Sequence, residues 1–224
     1  MGRAEWKDAA RLIDISAVRS FHTEDDVRET VRIAKEYGFI NVHSLPGFTS
    51  LVSELLKDET LIFVGAPVGF PGGGHKTETK MTEAIQLIKD GVEEMDIVMN
   101  IGLFRSGKDD LVLDELNKII DLAPPHVKTK VIIEINVLSD EEMLRACKLV
   151  MQTKADFVKT GTGWVAGGAN IDRIEKMLSV TKGHIMIKAA GGVRTLAEFE
   201  KLRELGVDRF GINLQSALEI VEAS

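Results

Sequence analysis

Two lysines end apolar runs in this sequence, and each faces a loop of small residues. Lys159 lies in "DFVKTGTG" and Lys188 in "IMIKAAGGVRT". If these runs are neighbouring strands, the two backbones lie about 5 Å apart. Two ammonium groups then share a confined space. Like charge and desolvation both favour the neutral amine, below the ordinary lysine pKa of about 10.4. A neutral lysine attacks carbonyls and forms a Schiff base. One such lysine alone reads better as pointing outward or paired with a carboxylate. Two together, each before a loop suited to anions, weigh towards chemistry.

Other residues could serve the same site. Asp96, in "EEMDIVMN", is set among apolar residues, and a buried carboxylate needs a partner. Lys159 or Lys188 would supply one, leaving Asp96 as either a structural ion pair or a proton shuttle acting through water. The loops "TGTG" (with Thr162 and Gly163) and "AGGVRT" (with Gly191 and Gly192) allow backbone N–H groups to converge on an anion, and Arg194 adds charge. The same glycines could simply make tight turns. Asp14, His43 and Asn213 fall at or near the ends of further apolar runs, where substrate contacts are expected. Glu134 reads as a buried carboxylate paired to a lysine, and His75 as a solvated residue in the long polar loop "GFPGGGHKTETK".

The elements that must position these groups alternate along the chain. Eight short runs recur about every 25 residues: "RLIDIS", "INVHS", "LIFVGAP", "EMDIVMNI", "KVIIEIN", "DFVKTG", "IMIKAAG" and "RFGIN". Between them, helical spacing predicts helices near 24–36, 48–56, 76–89, 107–121, 139–152, 170–179, 195–205 and 214–223. Hydroxyls before acidic residues at Thr23, Ser139 and Thr195 mark helix starts, and Gly38 and Gly206 fall where helices should stop. Eight strand–helix units in 224 residues predict a single-domain parallel (β/α)8 barrel, the TIM barrel. An open doubly wound sheet would want a G-x-G-x-x-G after the first strand, and "DISAVRS" offers none. Residues 1–10 are expected to form a capping helix below the barrel. On this fold functional residues sit at the C-terminal strand ends. That rule places Asn100 on strand 4 beside Asp96, and Glu134 and Asn136 on strand 5.

Composition narrows the partners. The net charge of −7, without a basic run, argues against nucleic acid. No apolar run approaches the roughly 20 residues that span a bilayer. The opening stretch lacks the apolar core of a signal peptide. Cys147, the only cysteine, sits in a helix-like apolar stripe. The expectation is a cytoplasmic setting and a structural thiol.

Taken in order, "VGFPGGG…KTETK", "EEMDIVMNIG…SG", "DFVKTGTG" and "IKAAGGVRT" resemble the deoxyribose-phosphate aldolase family, from about Leu12 to Gly211. The resemblance implies a class I aldolase on a (β/α)8 barrel. Such an enzyme reversibly cleaves 2-deoxyribose 5-phosphate to acetaldehyde and glyceraldehyde 3-phosphate, with no metal and no cofactor. It implies Lys159 as the Schiff-base lysine, Lys188 as the lysine that lowers its pKa, and Asp96 as the acid completing the proton relay. Gly163, Gly191, Gly192 and Gly211 match phosphate-loop positions, and a homodimer is implied. The chain departs from the family pattern at "DIS", "HSLP", "TGTG" and "GINLQS", and its only tyrosine is Tyr37. These departures keep open a related aldolase for another aldehyde or sugar. A non-catalytic barrel that binds a phosphorylated sugar is the remaining alternative.

Overall fold

Eight parallel strands close into a barrel in sequence order. The computed structural model describes residues 8–168 and 170–224. The strands are β1 (Ile13–Ala17), β2 (Asn41–Ser44), β3 (Phe63–Val68), β4 (Glu94–Val98), β5 (Lys128–Ile132), β6 (Phe157–Lys159), β7 (Met186–Ala190) and β8 (Arg209–Asn213). The helices are α1 (Glu24–Tyr37), α2 (Thr49–Leu56), α3 (Thr77–Lys89), α4 (Ile101–Arg105), α5 (Asp109–Ile120), α6 (Asp140–Val150), α7 (Ile171–Thr181), α8 (Leu196–Leu205) and α9 (Leu214–Ala223). Residues 1–7 of the expected N-terminal helix lie outside the described residues. The part that is described runs into a 3-10 turn at Ala10–Leu12. Among the described residues no helix is long and apolar enough to cross a membrane.

The helix boundaries follow their caps. Thr23, Ser139 and Thr195 each open a helix with a full capping box, closed by Asp26, Glu142 and Glu198. Gly38 and Gly206 end α1 and α8 in the left-handed region, at φ 76° and 105°, where a side chain would be strained. Three details differ from the expected pattern. β4 ends at Val98, and Asn100 instead caps the short helix α4 by accepting from the Leu103 amide. β5 ends at Ile132, so Glu134 lies beyond it, at a left-handed φ of 52°, and leads into a 3-10 turn that contains Asn136. The glycine-rich loop after β3 is not a loose turn. Gly69 donates to Glu83 at 2.6 Å, and a Cβ at Gly73 would lie 2.2 Å from the Met99 carbonyl oxygen.

Strand alternation sorts the residues into two sets. Ile13, Ile15, Val42, Val64, Ile97, Val131, Val158, Ile187 and Phe210 are all buried in the main core. The intervening positions carry Asp14, Asn41, His43, Glu94, Asp96, Lys130, Lys159, Lys188 and Arg209, also buried, and these meet across the barrel's interior. The helices therefore pack on the apolar set, and charge fills the centre.

A second buried charge pair lies outside the barrel. Lys80 of α3 reaches Glu115 of α5 at 2.6 Å and the Val98 carbonyl at 2.9 Å, with both side chains at 2% exposure or less. A Cβ at Gly69 would collide with Lys80, so the loop after β3 is shaped around this lysine. Removing one member leaves an unpaired buried charge. Glu115→Leu is expected to cost about 3–5 kcal/mol of unfolding free energy in urea titration. The double variant Lys80→Met/Glu115→Leu should recover most of that loss, because no charge is then left unpaired.

Candidate active site

The barrel register delivers the lysines side by side. Lys159 pairs in register with Lys188, and Asp96 with Lys130. Both lysine nitrogens reach one oxygen: Lys159 Nζ lies 2.6 Å and Lys188 Nζ 2.8 Å from Asp96 Oδ2. Lys188 also lies 2.6 Å from Asp14 Oδ2. Asp96 is fully buried, Lys188 is 1% exposed and Lys159 8% exposed. Of the two lysines, Lys159 is thus the one open to a ligand.

Below this pair lies a charged floor. Lys130 contacts Glu94, Asp14 at 3.2 Å and Asp96 Oδ1 at 3.6 Å. Arg209 holds Asp14 at 2.5 Å and Glu94 at 2.9 Å. Three carboxylates thus face four cations. Burial alone would raise the Asp96 carboxyl. The His43 ring and the ammonium groups of Lys159, Lys188 and Lys130 more than offset that, and hold it well below the usual carboxylate range. Burial lowers Lys188 to about 8 against the pull of Asp14 and Asp96, and the charges on Lys130 and Lys159 push the same way. Lys130 is raised, because Asp14, Glu94 and Asp96 outweigh its burial.

A cavity of about 470 Å³ opens above Lys159 and Lys188. Asp14, His43, Thr162, Gly163, Gly191, Gly192, Arg194, Gly211 and Asn213, the residues expected from sequence to contact substrate, all line it. Their side chains are not equally free. Asp14 sits low on β1 rather than at its end, and its carboxylate is taken by Lys188 and Arg209. Asn213 caps α9, accepting from the Ser216 amide at 3.1 Å. The amides of Arg194 and Thr195, just ahead of α8, both donate to Glu198, and the Glu198 amide donates to Thr195 Oγ1. Gly163, Gly191 and Gly192 have φ of 75°, 81° and 94°. Gly191 packs on Gly163, since its Cβ would lie 3.5 Å from the Gly163 Cα. Glu134 corrects the sequence reading. Among the described residues it pairs with no lysine, and it instead accepts from the amide of Thr162 at 3.2 Å and from its hydroxyl at 2.5 Å. That bond ties the loop after β5 to the loop after β6.

Some members of the site carry no motif. Lys130, Glu94, Arg209 and Asn41 look in sequence like ordinary strand residues, and only the alternating pattern places them inside. Arg19, in the loop after β1, donates to the Gly163 carbonyl at 3.2 Å and lies 5.7 Å from the Trp164 ring centroid. Trp164 meets Phe70 edge to face at 5.6 Å. The rim is therefore cross-linked over the cavity mouth. His75 is exposed, as expected, and Cys147 is fully buried, its thiol pushed up to about 12 by burial.

Comparison with known proteins agrees with this geometry. A family model described as DeoC/LacD family aldolase matches residues 11–206. The deoxyribose-phosphate aldolase of Rhizobium meliloti is 44% identical over 215 residues, covering 96% of this chain and 86% of that one. That of Aciduliprofundum boonei is 37% identical, with 96% of each chain covered. Among solved structures, the aldolase QR15 superposes with a TM-score of 0.90 at 34% identity, over 96% of this chain and 95% of its own. The tetrameric deoxyribose phosphate aldolase of Aeropyrum pernix gives 0.87 at 29% identity, over 96% and 90%. The chain belongs to the DeoC/LacD family of aldolases.

The shared oxygen of Asp96 carries a direct consequence. Asp96→Asn removes the anion between two ammonium groups without changing volume. It is expected to lower unfolding free energy by about 3 kcal/mol or more in urea titration. A loss below about 1 kcal/mol would show that the two lysines do not depend on this carboxylate.

Proposed function

We propose that the protein is a class I aldolase that cleaves 2-deoxyribose 5-phosphate reversibly to acetaldehyde and glyceraldehyde 3-phosphate. The observation that carries this reading is the convergence of Lys159 and Lys188 on Asp96 Oδ2, at the base of a cavity rimmed by glycine loops. The relatives named deoxyribose-phosphate aldolase supply the substrate.

Lys159, the more accessible lysine, is the nucleophile. It attacks the substrate aldehyde as the neutral amine and loses water to give an iminium. The C3 hydroxyl gives up its proton. The C2–C3 bond, between the carbons alpha and beta to the iminium, breaks with its electrons flowing into the iminium, leaving a two-carbon enamine on Lys159 and free glyceraldehyde 3-phosphate. Protonating the enamine and hydrolysing the resulting iminium release acetaldehyde. Lys188 and Asp96 move protons to and from these intermediates. The imine does the electronic work, so this scheme calls on no cofactor.

The phosphate end is placed against the loops after β6 and β7. There Gly163, Gly191 and Gly192 bring the backbone close, and Arg194 supplies charge. Glu198 already holds the amides of Arg194 and Thr195, so recognition falls on the Gly192 and Val193 amides and on the Arg194 guanidinium.

Two measurements test this. Borohydride reduction with deoxyribose 5-phosphate should fix a two-carbon or sugar adduct on Lys159, located by mass mapping, and Lys159→Ala should abolish it. Lys188→Leu removes the competing ammonium from Asp96 Oδ2 and should move the pH midpoint of adduct formation upward. Deoxyribose should be turned over at least about tenfold less efficiently than its 5-phosphate, the loss of roughly one charge-assisted contact or more. Equal kcat/KM for the two would remove the phosphate from the reading.

A further inference from the structure

His43 carries a proton question that the mechanism above leaves open. Its Nδ1 lies 2.7 Å from Asn41 Oδ1. The Asn41 amide is itself fixed, because its Nδ2 donates to Glu94 Oε2 at 2.9 Å. Turning that amide over would set its carbonyl oxygen against a carboxylate oxygen of Glu94, which already pairs with Lys130 and Arg209. Asn41 Oδ1 is therefore an acceptor, and His43 Nδ1 must carry the proton. The neutral ring then has a bare Nε2, which makes no hydrogen bond and lies 3.3 Å from Asp96 Oδ2. A lone pair faces a carboxylate oxygen in a site with the imidazole 4% exposed. Gly65 makes room for this arrangement, since a Cβ there would lie 2.1 Å from His43 Nδ1.

Such a contact is unfavourable until a proton enters it. Schiff-base formation supplies one. An ammonium on Lys159 must lose a proton before it attacks, and the carbinolamine hydroxyl must gain one to leave as water. Between those events the proton needs a holder. Lys130 and Arg209 are held charged by the carboxylates around them, Lys188 at about 8 still carries a proton at neutral pH, and Asp14 accepts from three cations and Glu94 from two. Among the described residues of this cluster, His43 Nε2 is the bare basic nitrogen.

We propose that His43 holds this proton: Nε2 takes it from Lys159 by way of Asp96 and returns it to the departing hydroxyl. The balance closes, with one proton leaving Lys159, one reaching the oxygen and no net change at the site. In the interval the Nε2–H donates to Asp96 Oδ2 and replaces the Lys159 ion pair, so the carboxylate keeps two cationic partners. The groups facing the ring are Asp96 from β4, Lys188 from β7, Lys130 from β5, Asp14 from β1, and Asn41 from its own strand. Burial holds the imidazole at about 4 in the resting site, Asp96 pulling the other way and Lys188 and Lys130 adding to the lowering. The ring is thus unprotonated at rest, and it gains the pull of Asp96 when the Lys159 ion pair is released.

This role rests on the aldolase reading, and the test separates the two. In the wild type, imidazole ¹⁵N spectra should show Nδ1 protonated and Nε2 bare. Finding the opposite tautomer would overturn the proposal without any variant. His43→Gln keeps an amide donor near Asp96, and His43→Asn keeps one near Asn41, but neither can exchange a proton. Both should slow adduct formation on Lys159 about a hundredfold, through kcat rather than KM. Both should also lose the solvent deuterium effect on that step and the acid limb of its pH profile. Wild-type rate and pH profile in both variants would overturn the role of His43 and leave the aldolase intact. No borohydride adduct in the wild type would overturn both.

Discussion

The structure depends on electroneutrality inside the barrel. Asp14, Glu94 and Asp96 confront Lys130, Lys159, Lys188 and Arg209, with water largely excluded. Charges at this spacing interact far more strongly in the interior than at the surface. Three carboxylates can fully balance three cations, so the fourth is surplus. The cluster is most comfortable when one nitrogen gives up its proton, and the nucleophile required by imine chemistry is such a nitrogen. Lys130 and Arg209 are held firmly charged by the carboxylates around them, while burial brings Lys188 to about 8. The proton most loosely held in the cluster is therefore that of Lys188, beside Lys159 on the shared Asp96 oxygen.

Filling a barrel with charge constrains its walls. In most barrels of this type branched apolar side chains pack the interior. Here the interior-facing residues must be long and charged, or small enough to leave space for those that are. Gly65 makes room for His43, and a Cβ at Gly211 would lie 3.0 Å from Ala190 Cβ and 3.3 Å from Lys188 Cε. Hydrophobic stabilisation then rests almost wholly on the outer layer, between the strands and the helices around them. That layer is continuous, running from Ile13 and Ile15 on β1 to Phe210 and Ile212 on β8. Capping boxes and glycine stops fix where each helix begins and ends, and so how each loop enters the rim.

The fold was legible because strand periodicity, caps and spacing all agree on eight units. The misplacements are local. Asn100 and Glu134 continue apolar runs that look like strand, but a cap in one case and a left-handed residue in the other end the strand first. The lysines and Asp96 could be found because a charge at the end of an apolar run needs a reason. Glu94 and Arg209 open their strands and Lys130 stands in the polar run "KTK" of β5, where charge is ordinary and raises no question. Alternation points them inward, but which of them meet depends on register across strands distant in sequence, which no local pattern states. Glu134 was rightly read as buried, but the partner expected of a buried carboxylate is a cation. The loop after β6 instead brought Thr162 to it.

The division between floor and rim explains why chemistry and recognition can differ in how firmly they are fixed. Lys159, Lys188 and Asp96 stand on strands, locked by register and by the neighbouring charges. Gly163, Trp164, Gly191, Gly192 and Arg194 stand on loops, held by single contacts such as Arg19 to the Gly163 carbonyl and Trp164 to Phe70. A substitution on the rim changes what fits beyond the reacting carbon without disturbing the charge balance below it. A substitution in the floor alters the proton count of the whole cluster, because every group there is within one contact of another. Selection on substrate therefore acts on the rim, and the departures of this chain from the family pattern test the same boundary. "TGTG" lies in the rim and "GINLQS" reaches it. "HSLP" reaches down into the floor through His43, next to Asp96, where it bears on protons rather than on the shape of the substrate.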